Sequence, residues 1–126
     1  MNTASSSSRQ RLPNRRPSQV FEITVAGLRY TASFSKFADG RVGEVFLNNH
    51  KSNSAADANA RDAAVAASLA FQFGCPLQVL QRALLRDSRG NPSTPLGAAV
   101  DAITGHRHAD HRVIHCSTIP TKAARI

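Results

Sequence analysis

The sequence predicts an α+β domain: a three-stranded antiparallel meander followed by two to three helices packed on one face of the sheet. Three observations carry this. Side-chain polarity alternates with a period of two between residues 20 and 47, it shifts to a helical period beyond residue 57, and the two kinds of element occupy separate stretches of chain. A length of 126 residues gives room for one such domain and its tails, which excludes a multidomain enzyme.

In the first strand Phe21, Ile23 and Val25 alternate with Glu22 and Thr24. In the second, Leu28, Tyr30, Ala32 and Phe34 alternate with Arg29, Thr31, Ser33 and Ser35. Each is the pattern of a half-buried strand. Ala26-Gly27 separates them, and Gly27 can take the positive φ that a tight hairpin needs. Asp39-Gly40 is a stronger turn signal and leads into a third strand from Val42 to Leu47. A polar loop, 48–54, follows. Residues 57–73 are rich in alanine, with Val65, Leu69 and Phe73 at the i, i+4, i+8 spacing of an apolar helical stripe. Ala63, Ala64, Ala66, Ala67 and Ala70 would let this helix lie close to its sheet or to a partner helix. Gly74 sits where a helix stops, and Pro76 suits the first turn of a second helix carrying Leu77, Leu80 and Leu84. Residues 87–92 form a turn cluster, after which Pro95 opens a short helix through Leu96, Val100 and Ile103. A second copy of the domain on the open face of the sheet is disfavoured by the polar outer faces of the first two strands.

The formal net charge is +8, from 16 Lys and Arg against 8 Asp and Glu, and it is unevenly spread. Residues 1–19 hold four arginines (Arg9, Arg11, Arg15, Arg16) and no acid, whereas residues 20–103 hold eight bases against seven acids. Residues 104–126 hold four bases against Asp110. The first 19 residues, with four consecutive serines, Pro13 and Pro17, bury too little to offset chain entropy and are expected to be a disordered basic tail. Their Arg and Ser content also suits an organelle transit peptide, although the prolines oppose an amphipathic helix. Residues 104–126 show neither period and are expected to be a second, His-containing basic tail, which leaves 20–103 as the domain. Basic tails around a balanced core suit weak, nonspecific attraction to nucleic acid, or solubility alone. No apolar run of membrane-spanning length and no secretory signal is visible, so a cytoplasmic protein without a membrane partner is expected. Cys75 and Cys116 form no Cys-x-x-Cys pair, which argues against a disulfide framework and a zinc ribbon.

Several segments together resemble a known family. They are Arg11-Leu12-Pro13-Asn14-Arg15-Arg16-Pro17, Gly43-Glu44-Val45-Phe46-Leu47, Asn49-His50-Lys51, the helix entry from Ala55 to Ala64, and the run from Leu84 to Asn91 followed by Pro95-Leu96-Gly97. In order and spacing these are similar to the TSCPD domain. That domain occurs at the C-terminus of adenosylcobalamin-dependent (vitamin B12-dependent, class II) ribonucleoside-diphosphate reductases and as short free-standing bacterial proteins. The resemblance covers residues 11–103. The Thr-Ser-Cys-Pro-Asp string itself is absent, and Cys75-Pro76 lies at a helix junction instead. The resemblance implies an accessory or regulatory role in deoxyribonucleotide synthesis, beside a ribonucleotide reductase catalytic chain and with nucleotide as a candidate ligand. Adenosylcobalamin is implied for the full-length reductases. The radical cysteine, the cobalamin site and the oxidoreductase chemistry need a far longer barrel, so this chain alone is expected to bind no cofactor and to supply no catalytic residue.

Two sites follow from the residues themselves. The loop holding Asn49, His50, Lys51, Ser52 and Ser54 delivers cationic and hydrogen-bonding groups to the start of the long helix, where free N–H groups and the helix dipole favour phosphate. Alternatively Ser54 or Asp57 caps the helix and the rest is solvated. Arg86 and Arg89 form a pair able to grip phosphate or a carboxylate, or else belong to a structural turn. Asp57 and Arg61 are placed for a surface ion pair. His106, His108, His111, His115 and Cys116 cluster in sequence, but their spacing fits no closed zinc site, so no metal is assigned. The competing function is a small nucleic-acid-associated protein using its tails as electrostatic arms. A small enzyme lacks a nucleophile and base at a credible spacing.

Overall fold

A computed structural model of the chain describes residues 8–51, 53–105 and 112–117. The meander forms as the alternation dictates: β1 (Ser18–Val25), β2 (Leu28–Lys36) and β3 (Val42–Asn49) pair antiparallel in sequence order. Ala26 and Gly27 both take positive φ, 52° and 79°, so the β1–β2 hairpin turns in the sense that matches strand twist. Three helices follow, α1 (Ala55–Gln72), α2 (Leu77–Ala83) and α3 (Pro95–Ile103). The α+β arrangement is therefore the one the periodicity predicts. A fourth strand, β4 (Arg112–Ser117), completes a sheet of order β3-β2-β1-β4. It escapes the sequence pattern because its two large aliphatic residues, Val113 and Ile114, are adjacent instead of alternating.

The sheet's inner face presents Phe21, Ile23, Tyr30, Ala32, Phe34, Val45 and Leu47, all buried. Phe21 and Phe34 meet edge to face with their centroids 6.2 Å apart. Helix α3 lies against this face, burying Leu96, Ala99 and Val100. Its start is fixed by Pro95 and by the Thr94 hydroxyl, which accepts the Gly97 N–H. In α2, Leu77, Leu80 and Leu84 are partly buried against the same core.

Helix α1 buries a different stripe from the one its large apolar residues mark. Val65 is 40% and Phe73, the C-cap residue, 44% exposed, and Leu69 is half-buried. The buried row is Ala60, Ala64, Ala67, Ser68, Phe71 and Gln72. The reason lies in what α1 covers, namely the edge of the sheet, where β3 has backbone groups that no strand pairs. Ser68 Oγ accepts the Val45 N–H at 2.9 Å and donates to the Val45 carbonyl at 3.0 Å. Gln72 Nε2 donates to the Gly43 carbonyl at 2.9 Å, and Asp57 Oδ1 accepts the Asn49 N–H at 2.9 Å. Alanines bring the helix axis close enough for these short side chains to reach, and the edge is sealed against other strands.

The N-terminal region is bound to the domain from well before residue 20. Strand β1 starts at Ser18, and Arg16 is 3% exposed. Its guanidinium grips Glu44 through both carboxylate oxygens, Nε–Oε2 at 2.6 Å and Nη2–Oε1 at 2.9 Å. Nη1 donates to the Pro13 carbonyl at 2.6 Å. Upstream, Arg9 Nε donates to Gln72 Oε1 and the Gln10 N–H to the Gln72 carbonyl. Gly43 is required at this crossing: a Cβ there would lie 2.8 Å from Phe37 Cε2 and 3.0 Å from Leu12 Cδ2. The expected tail boundary at 19 thus falls inside β1, and residues 1–7, 106–111 and 118–126 lie outside the described residues.

Candidate functional site

The loop between β3 and α1 is built as a chain of local hydrogen bonds. Asn49 is buried; its Oδ1 accepts the Lys51 N–H at 2.8 Å and its amide nitrogen donates to the Arg29 carbonyl at 3.4 Å. Ser54 is the N-cap of α1, its hydroxyl accepting the Asp57 N–H at 3.1 Å and donating to the Lys51 carbonyl at 2.8 Å. Of the two roles open to Ser54, the structure shows the cap. His50 and Lys51 are exposed. The His50 ring faces Thr31 Oγ1 at 3.1 Å and Glu22 Oε2 at 3.4 Å, so an acid stands beside it. Ser52 lies outside the described residues. Asp57 is 5% exposed and its second oxygen accepts Arg61 Nε at 2.8 Å, which makes the pair half-buried and not the surface pair expected from spacing. The Arg61 hydrogen bond, then the Asn49 N–H, hold the Asp57 carboxyl below its ordinary value.

Arg86 and Arg89 part company. Arg86 makes a fork-to-fork pair with Asp101 of α3, Nη2–Oδ1 at 2.6 Å and Nη1–Oδ2 at 2.9 Å, and Nη1 also donates to the Gly90 carbonyl at 2.8 Å. Asp101 is 1% exposed and also accepts Gln81 Nε2 at 2.9 Å, which ties α2, α3 and the turn together. This carboxylate raises the Arg86 pKa above its already high value. Arg89 is exposed in the turn. There Asp87 Oδ1 accepts the Asn91 and Arg89 N–H groups, which lower the Asp87 pKa in that order.

Two surface grooves lie elsewhere. One, about 530 Å³, is walled by Lys36, Arg41, Phe71, Cys75, Leu77 and Ile103. The other, about 540 Å³, runs between the N-terminal segment and the end of β2. Neither is lined by a residue of the 49–54 loop or by Arg86 or Arg89. Cys75 is half-buried with its thiol directed at the Pro76 carbonyl, 3.6 Å away. No group of three or more potential metal ligands occurs among the described residues. His106, His108 and His111 lie outside them, as do the side chains of His115 and Cys116. Among the described residues no helix is long and apolar enough to cross a membrane. Both grooves have the size that holds a drug-like ligand. That is too small for a corrin ring with its nucleotide and adenosyl groups, so neither groove fits cobalamin.

Sequence reasoning missed Arg16, Glu44, Ser68, Gln72 and Asp101, the polar residues that organise the molecule. A signal existed for Glu44, a lone acid inside the run Val42 to Leu47, since a charge among buried neighbours requires a partner.

Fold and polar networks together define a small α+β module whose segments are joined by one buried ion pair, Arg16 with Glu44, and one half-buried pair, Arg86 with Asp101. Its relatives are much larger proteins. The chain is 40% identical over 70 residues to a vitamin B12-dependent ribonucleotide reductase of Agrobacterium fabrum, a match covering 56% of this chain and 6% of that protein. It is 33% identical over 69 residues to the enzyme of the same name from Bradyrhizobium diazoefficiens, covering 55% and 6%. It is 33% identical over 72 residues to that from Rhodopirellula baltica, covering 57% and 7%. More than half of the chain is thus related to a segment of B12-dependent ribonucleotide reductases, while spanning only a small fraction of their length. No protein-family model matches the chain, and no solved structure matches it.

Proposed function

We propose that this chain is a TSCPD-type module that serves ribonucleotide reduction in the cytoplasm as an accessory or regulatory partner of a separate reductase chain. The observation that carries the reading is the 40% identity over 70 residues to a B12-dependent ribonucleotide reductase. The matched segment is too small a share of that enzyme to be its catalytic body. A short module related to one segment of a large enzyme is suited to bind that enzyme or to act on it, and the polar clusters of this fold hold helices and turns in place. The nucleic-acid alternative loses one of its N-terminal cations to an internal acid, Arg16 to Glu44.

The test uses the full chain and a purified B12-dependent reductase from the same cells. Association is followed by analytical ultracentrifugation, and nucleotide reduction is assayed with adenosylcobalamin with and without the chain. A complex at micromolar concentration together with a changed rate is the expected result. Lack of any complex at about 50 μM, a concentration at which binding of biological strength is populated, overturns it.

A further inference from the structure

We infer that the groove between the N-terminal segment and the end of β2 binds the phosphate of a phosphorylated small molecule with a flat apolar body, the chemistry of a nucleotide. The inference rests on this groove alone and stands whether or not the chain binds a reductase. The groove has a volume of about 540 Å³, within the range of small-molecule sites.

Its lining is chemically one-sided. Arg15, Arg16 and Lys36 contribute to it and no acidic side chain does. Arg16 is neutralised by Glu44, but Arg15 and Lys36 are exposed and meet no acid among the described residues. Two free cations at one concave site, unlike scattered surface lysines, focus the field on an anion. Apolar surface is supplied by Pro13, Pro17 and Phe37, against which a planar group can lie.

The second observation is independent of charge. Ser35 also lines the groove and is 3% exposed. Its Oγ is the one buried side-chain polar atom among the described residues that has no hydrogen-bond partner. It stands opposite Glu44 in the β2–β3 register, on the face that the N-terminal segment covers. An unmet buried hydroxyl is costly, and Ser35, which lines the same groove as Arg15 and Lys36, gains a partner when a phosphate oxygen reaches it. The hydroxyl would donate to the anion while Arg15 and Lys36 balance its charge.

Binding is measured on the full chain by calorimetry with ADP, pyrophosphate and adenosine, and the site is located by amide chemical-shift changes. ADP and pyrophosphate are expected to bind, adenosine far more weakly, with shifts centred on residues 34–38. ADP is expected to exceed pyrophosphate because the apolar wall takes the base; equal affinities would overturn the assignment of a flat apolar body. Arg15→Gln and Lys36→Gln, both exposed, should each weaken ADP by about three- to tenfold. Ser35→Ala should weaken it without lowering stability, because its hydroxyl has no partner to lose. Absence of ADP binding at about 10 mM, equal affinity in the charge variants, or shifts confined to residues 49–54 would each overturn the proposal.

Discussion

Glu44 is fully buried in β3, and its charge is tolerable there only because the Arg16 fork meets both of its oxygens. Coulomb attraction in such a place is largely offset by desolvation, so the pair adds little net stability, yet either partner left alone is expensive. Arg16→Ala should therefore lower the unfolding free energy by about 3–5 kcal/mol in urea titrations. Arg16→Met combined with Glu44→Leu should recover much of that loss. The deficit expected to remain reflects the bond from Arg16 Nη1 to the Pro13 carbonyl. Asp57 gives a prediction in pH. Its folded pKa lies below the ordinary 3.8, so between the two values the unfolded chain binds more protons. The stabilisation is complete above the unfolded value and disappears as pH falls through the folded one. Asp57→Asn should make the protein less stable at neutral pH and flatten the decline of Tm as pH falls below the ordinary carboxylate value of 3.8. A decline as steep as in the wild type would show that Asp57 is not the group responsible.

At the scale of elements, the meander and α3 were legible because each buries large apolar side chains at the period of its own backbone. Helix α1 was legible in extent but not in orientation. Hydropathy ranks Val65, Leu69 and Phe73 above Ala64, Ser68 and Gln72, and no such ranking can register that the surface to be covered is a row of backbone N–H and C=O groups. The candidate loop was legible in part: Ser54 as a cap follows from residue type, whereas the burial of Asn49 and Asp57 follows from the edge of β3 arriving beside them. Ser68→Ala should strip both Ser68 partners from Val45 and cost about 1–3 kcal/mol, with faster hydrogen exchange at the Val45 amide. Val65→Gln and Phe73→Gln should each change stability by no more than about 0.5 kcal/mol. The reverse pattern, a silent Ser68 and a damaging Phe73, would mean that α1 is rotated from the orientation described.

In the whole molecule, the parts that sequence patterning assigns to tails close the structure. Residues 9–16 cross the outer side of β3, and β4 pairs with β1 at the far edge. Their partners lie far along the chain, Arg16 from Glu44 by 28 residues and Arg9 from Gln72 by 63. Composition windows compare neighbours only, and a Ser- and Pro-rich segment with a few arginines looks unfolded unless the buried acid it will meet is known. A chain that begins at residue 18 tests whether the segment docks. It exposes the Glu44 pocket and removes Leu12, so it should be less stable by about 3–5 kcal/mol, with little dependence on salt because the lost pair was buried. The same comparison can be made through Gly43. In the full chain Gly43→Ala drives a Cβ against Phe37 and Leu12 and should cost about 1–3 kcal/mol. In the shortened chain only Phe37 remains in the way, and the same substitution should cost distinctly less. Coupling between deletion and substitution is the signature of direct contact; strictly additive losses would show that residues 9–16 do not lie across Gly43.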